Sequence, residues 1–143
     1  MPDTLHTTAA TAVGGGQARV SSADGRLEIE LSVQSDLGGD DGPGTNPEQL
    51  FAAGYAACFL QALESVARMD DVEVGAWSVT ATVALVGHLS QGMDLTARLE
   101  VDMAGVDRET ATRLVDAAYA ACPYSRATRG GIEQDVVLAP ARR

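Results

Sequence analysis

Two cysteines are the residues in this chain best suited to chemistry. Cys58 lies inside Asn46-Pro47-Glu48-Gln49-Leu50-Phe51-Ala52-Ala53-Gly54-Tyr55-Ala56-Ala57-Cys58-Phe59. That segment opens like a capped helix and continues almost wholly apolar. Cys122 heads Cys122-Pro123-Tyr124-Ser125-Arg126-Ala127-Thr128-Arg129-Gly130, where a second helical pattern stops. If the two thiols meet in space, they form a dithiol able to close into a disulfide, so redox chemistry is the first hypothesis. The thiolate is the nucleophile, and a free thiol with a pKa near 8.5 is only a few per cent ionised at neutral pH. Cys58 falls mid-helix, where the N-terminal dipole gives little help, and burial there raises its pKa. A reactive Cys58 therefore needs a cation, and Arg19, Arg126 and Arg129 are the candidates. Arg126 and Arg129 also suit fixing the loop after Cys122.

Composition narrows the alternatives. The chain has 143 residues and a formal charge of −10, which argues against nucleic-acid binding and against docking on anionic membranes. Every basic residue is arginine, so a Schiff-base or lysine-nucleophile mechanism is excluded. The longest apolar run, Leu50 to Leu60, is short for a bilayer, and no secretory leader is visible. Two cysteines do not make a secreted disulfide scaffold, and we expect a cytoplasmic protein. His6 and His88 stand at no metal-ligand spacing from a cysteine. The triple glycine at Gly14 lacks the lysine and helix of a phosphate loop.

The elements that must position the thiols follow from periodicity. Leu5 to Val13 suits a strand, Gly14-Gly15-Gly16 breaks it, and a second strand runs from Arg19 to Ser22. Leu27, Ile29, Leu31 and Val33 alternate as a third. After a loop over 37–45, Asn46 can cap a helix, with Pro47 at its first position and Gln49 closing a capping box. The helix should run to about Met69, apolar nearly all round from Leu50 to Leu63, and so central and buried, Cys58 included. Trp77 to Leu85 and Met93 to Met103 form a hairpin across Gly87–Gly92. Asp107 caps a second helix with Ala111, Leu114, Val115, Ala118 and Cys122 on one face, and Pro123 ends it. Ile132 to Leu138 is a final strand, and 140–143 a frayed tail. The order predicts a single α+β domain over 1–143, with antiparallel sheets wrapped around two central helices.

Glu48 is a candidate to orient an arginine through a bidentate pair. Ten residues of helix separate it from Cys58, roughly 15 Å of rise. The two cannot share one compact site through their own helix, so either the helix bends or a second subunit supplies one of them; the second is predicted, an intertwined homodimer with composite sites. The plainer readings are that both cysteines are packing, Glu48 only starts a helix, and Arg19 faces solvent.

The two quoted segments resemble the paired signatures of the organic hydroperoxide resistance branch of the Ohr/OsmC family. Gly54-Tyr55 and Cys122-Pro123-Tyr124-Ser125 favour that branch over its OsmC sister. The resemblance spans nearly the whole chain. It implies an OsmC-like intertwined homodimer and a thiol peroxidase without haem, metal or other cofactor. Cys58 then matches the peroxidatic cysteine, Cys122 the resolving one, and Glu48 the carboxylate that orients the active-site arginine. Implied substrates are alkyl and fatty-acid hydroperoxides, and the implied reductant is a lipoylated protein or another dithiol. One departure stands out. The family's arginine follows directly after the glycine turn, and an ungapped register puts Gly16 there, so a short gap is needed to bring Arg19 into the role. Alternatives are a thiol redox sensor without turnover, an OsmC-type peroxidase of different preference, or a structural dimer with inert cysteines.

Overall fold

The computed structural model describes residues 2–141. The expected tail at 140–143 therefore lies partly outside the described residues. The chain forms two compact units, residues 1–47 and 48–143.

The first unit is a small antiparallel sheet in the order β1-β2-β3. Its strands are β1 (Ala10–Val13), β2 (Arg19–Ser22) and β3 (Glu28–Glu30). The first strand is shorter than the predicted Leu5–Val13, and all four of its residues are exposed. Gly15 and Gly16, with φ of 82° and 152°, carry the β1–β2 connection through conformations that favour glycine. Val13 then pairs with Arg19 across the ladder. The third strand also stops early, and Leu31 instead makes an isolated parallel bridge to Thr45.

The second unit begins with α1 (Pro47–Met69), close to the predicted bounds. Its environment differs from the prediction. Tyr55, Phe59, Leu63 and Ala67 form one fully buried stripe at helical spacing, whereas Ala53 and Ala57 are exposed and Cys58 is half-buried. An apolar run does not by itself bury every face of a helix; Phe51, Leu60, Ala62 and Val66 are only partly buried beside the stripe. By length and composition alone α1 would suit a membrane crossing, but its buried stripe belongs to a packed core. That core joins it to Leu99 and Val101 of the sheet and to Leu114, Val115 and Ala118 of the next helix.

Strands β4 (Ser78–His88) and β5 (Gly92–Asp102) form the predicted hairpin. The ladder extends further than expected, to His88↔Gly92. This is possible because Gly87 takes φ 125° within 2.7 Å of Gly92 carbonyl oxygen, measured from where a Cβ would stand. On β5, Ala97, Leu99 and Val101 alternate inward as core.

Helix α2 (Arg108–Ala121) is capped as predicted. The Asp107 carboxylate accepts from the Thr110 N–H at 2.9 Å, and Ala111, Leu114, Val115 and Ala118 face the core. Pro123 does end α2, but it also starts a helix absent from the sequence reading, α3 (Pro123–Thr128). Proline at the first helical position has its φ already set and needs no N–H partner. Cys122 is the extended hinge residue between the two helices, with φ −61° and ψ 120°. The chain then enters β6 (Glu133–Leu138), which pairs with β5 in parallel. The expectation of purely antiparallel sheets is corrected here. A strand that returns after two helices crosses over the sheet and arrives in the same direction as β5. The α+β class itself holds.

Candidate functional site

The site is built where α1 meets the hinge between α2 and α3. Cys58 Sγ and Cys122 Sγ lie 3.5 Å apart, although 64 positions separate them in sequence, and both are free thiols. A disulfide needs about 2.05 Å, so closure requires convergence of only about 1.5 Å. The expected deep burial of Cys58 is corrected, while Cys122 lies on the buried face its helical spacing suggested. Cys122 is fully buried, while Cys58 is the partly accessible thiol. The helical run around Cys58 suggested deep burial, but its side chain lies off the buried Tyr55–Phe59–Leu63 stripe.

Burial nonetheless pushes the Cys58 thiol upward, and the adjacent Cys122 acts in the same sense. One group opposes them: the Tyr124 main-chain N–H donates to the Cys58 sulfur and favours the thiolate. Within the 48–143 unit, neither Arg126 nor Arg129 is among the groups acting on that sulfur. Arg129 donates to the Tyr119 carbonyl at 3.2 Å and lies over the Tyr119 ring at 4.6 Å, fixing the end of α3 to α2.

Arg19 opens β2 in the first unit and is ion-paired with Glu28 of the neighbouring strand. Glu48 is half-buried in the first turn of α1. The helix runs unbroken from there to Cys58, so their separation along it stands at about 15 Å.

Further along α1, Phe59 is wholly buried core and Met69, its last residue, is 79% exposed. Tyr124 lies at the site. A Cβ on Gly54 would come within 3.2 Å of its ring, so glycine at this position lets the tyrosine lie across α1. Three features were missed from sequence: α3 itself, the Tyr124 N–H, and a hydrogen bond between Tyr55 and Ser125. The signal available was the motif Cys-Pro-Tyr-Ser, in which a proline follows a helix end and can begin another helix. Among the described residues no cluster of three metal-ligating side chains occurs.

A two-unit α+β chain with paired thiols between a central helix and a helix hinge defines an OsmC-like protein. Residues 38–137 match the family model described as OsmC-like protein. An organic hydroperoxide resistance protein of Xanthomonas axonopodis pv. citri (strain 306) is 44% identical over 136 residues, spanning 94% of this chain and 95% of that one. OhrB of Bacillus subtilis (strain 168), also an organic hydroperoxide resistance protein, is 42% identical over 135 residues, spanning 94% and 98%. The crystal structure of an organic hydroperoxide resistance protein from Elizabethkingia anophelis matches with a TM-score of 0.91 at 40% identity. It covers 98% of this chain and 100% of that one. The chain belongs to the OsmC-like family, in its organic hydroperoxide resistance branch.

Proposed function

We propose that this chain is a thiol peroxidase that reduces organic hydroperoxides to alcohols. The observation that carries this reading is the 3.5 Å approach of two free thiols, of which only Cys58 is reachable from outside. The names of the relatives support a role in organic hydroperoxide resistance. The Cys58 thiolate attacks the terminal oxygen of ROOH. An S–O bond forms, the O–O bond breaks, and the alkoxide takes a proton to leave as alcohol. Cys58 is thereby oxidised by two electrons to a sulfenic acid. The Cys122 sulfur then attacks Cys58; the S–S bond forms, and the hydroxyl leaves as water with the Cys122 proton. A dithiol such as a lipoylated protein restores both thiols by exchange and closes into its own disulfide.

Arg19 is the cation assigned to the Cys58 thiolate and to charge on the departing oxygen, with Glu48 orienting it. Its pair with Glu28 does not bar this role. Both partners are about half exposed, and surface pairs of this kind contribute little to stability and exchange readily. A homodimer in the cytoplasm completes the reading. It is supported by the exposed small residues Ala53 and Ala57 on an apolar helix, and by the length of α1 between Glu48 and Cys58.

The test is peroxide consumption with dihydrolipoamide as reductant, comparing tert-butyl hydroperoxide with hydrogen peroxide. Continuous turnover that prefers the organic peroxide is expected. Oxidation that stops at one equivalent would instead indicate a sensor, and no oxidation would leave the cysteines structural.

A further inference from the structure

Tyr55 sits one helical turn before Cys58 on α1 and is fully buried. Its hydroxyl donates to Gln134 Oε1 of β6 at 2.7 Å and lies 2.8 Å from Ser125 Oγ of α3. Because the phenol proton goes to Gln134, Ser125 must be the donor to the phenol oxygen. One phenol therefore ties together the helix that carries Cys58, the helix that begins after Cys122, and the last strand. Ser125 is also fully buried. A phenylalanine and an alanine would fill the same space without the cost of removing two hydroxyls from water. What the hydroxyls add is direction, since the bond can be satisfied only in one placement of α3 against α1.

That placement matters at the sulfurs. Tyr124, immediately before Ser125, supplies the N–H on Cys58, and Cys122 lies three residues before Ser125. Thr128 donates to the Tyr124 carbonyl at 2.7 Å, which stiffens the same turn from its other end. Burial holds the Tyr55 phenol above its ordinary pKa, so it stays a donor through the neutral range.

We propose that Tyr55 and Ser125 are positioning residues for the dithiol, their hydrogen bond holding the start of α3 so that the Tyr124 N–H rests on Cys58 and Cys122 stays within reach of it. The Cys122 half of this proposal rests on the peroxidase reading above; the Cys58 half rests on the Tyr55–Ser125 bond that places α3 and on the Tyr124 N–H that favours the Cys58 thiolate.

The variants are Tyr55→Phe, Ser125→Ala and the pair together. The double variant removes both hydroxyls of the pair, leaving neither unpaired, while Gln134 Oε1 loses the phenol and keeps the Thr128 hydroxyl at 3.4 Å; its melting temperature is recorded alongside. In a chain also carrying Cys122→Ser, the pH profile of Cys58 alkylation by iodoacetamide is recorded. Its midpoint is expected to move upward in all three variants, because the thiolate loses a donor. With both cysteines present, disulfide closure after one equivalent of tert-butyl hydroperoxide should slow on the order of tenfold or more, as misplacement of reacting groups by an ångström does. When a second equivalent of tert-butyl hydroperoxide is added, more Cys58 should be trapped as sulfinic acid, each further oxidation consuming one ROOH and releasing one alcohol. An alkylation profile unchanged from the Cys122→Ser parent in the double variant overturns the proposal, even if the melting temperature falls. The alkylation arm uses no peroxide. A wild-type chain that forms no disulfide therefore counts against the peroxidase reading and leaves this result to be judged by itself.

Discussion

At the scale of single residues, Cys58 combines access with an unfavourable environment. Burial and the neighbouring Cys122 raise its pKa, and a single main-chain N–H opposes them. One N–H does not offset both, so the reactivity proposed here requires a guanidinium from elsewhere. Arg19→Ala should lower the rate of the first oxidation by about a hundredfold, in line with removal of one preorganised donor. It should also shift the Cys58 alkylation midpoint upward. Stopped-flow peroxide consumption and the alkylation profile check the two effects, and no change in either removes Arg19 from the site. The residue types were legible in sequence, since two cysteines in distinctive segments are hard to overlook. Their relative exposure was not legible. It depends on which way α1 turns its buried stripe, and a helix apolar on nearly every side hides that choice.

At the scale of elements, the helix ends carry much of the information. Asp107 was recognisable as a cap because an aspartate precedes a periodic apolar run. In the structure, hydrogen bonding from the Thr110 N–H holds its carboxyl below the usual carboxylate range. A carboxyl whose folded pKa is depressed stabilises the fold above its unfolded pKa, about 3.9, and that contribution fades as pH falls through the folded value. Asp107→Ala should therefore melt below wild type at neutral pH, with the two curves converging as the pH drops under about 4. A melting difference that persists undiminished in acid would assign the loss to something other than the cap's charge. Helix α3 shows the opposite case. Pro123 was read as a stop, yet proline is equally suited to a first helical turn, and sequence alone does not tell an ending from a restart. Missing α3 also hid the Tyr124 N–H, because a loop has no fixed direction in which to aim a donor. The parallel pairing of β6 was missed for a related reason: strand direction is set by the crossover, not by the strand's own pattern.

At the scale of the whole molecule, the α+β class was legible from the alternation of period-two and helical segments, and the two thiols were legible as a pair only through the resemblance of their flanking motifs. Nothing in 64 intervening positions specifies a 3.5 Å contact. That contact comes from the packing of α1 and α2 in one core, which carries Cys58 and Cys122 to the same edge. The exposed Ala53 and Ala57 leave α1 with more apolar surface than one chain covers, in keeping with the proposed homodimer. The most direct measurement treats the reduced protein with one equivalent of tert-butyl hydroperoxide, followed by thiol counting and non-reducing peptide mapping. The account predicts loss of both thiols in each chain and a single Cys58–Cys122 cross-link within it. Retention of both free thiols, or oxidation that leaves Cys122 unlinked, would contradict it.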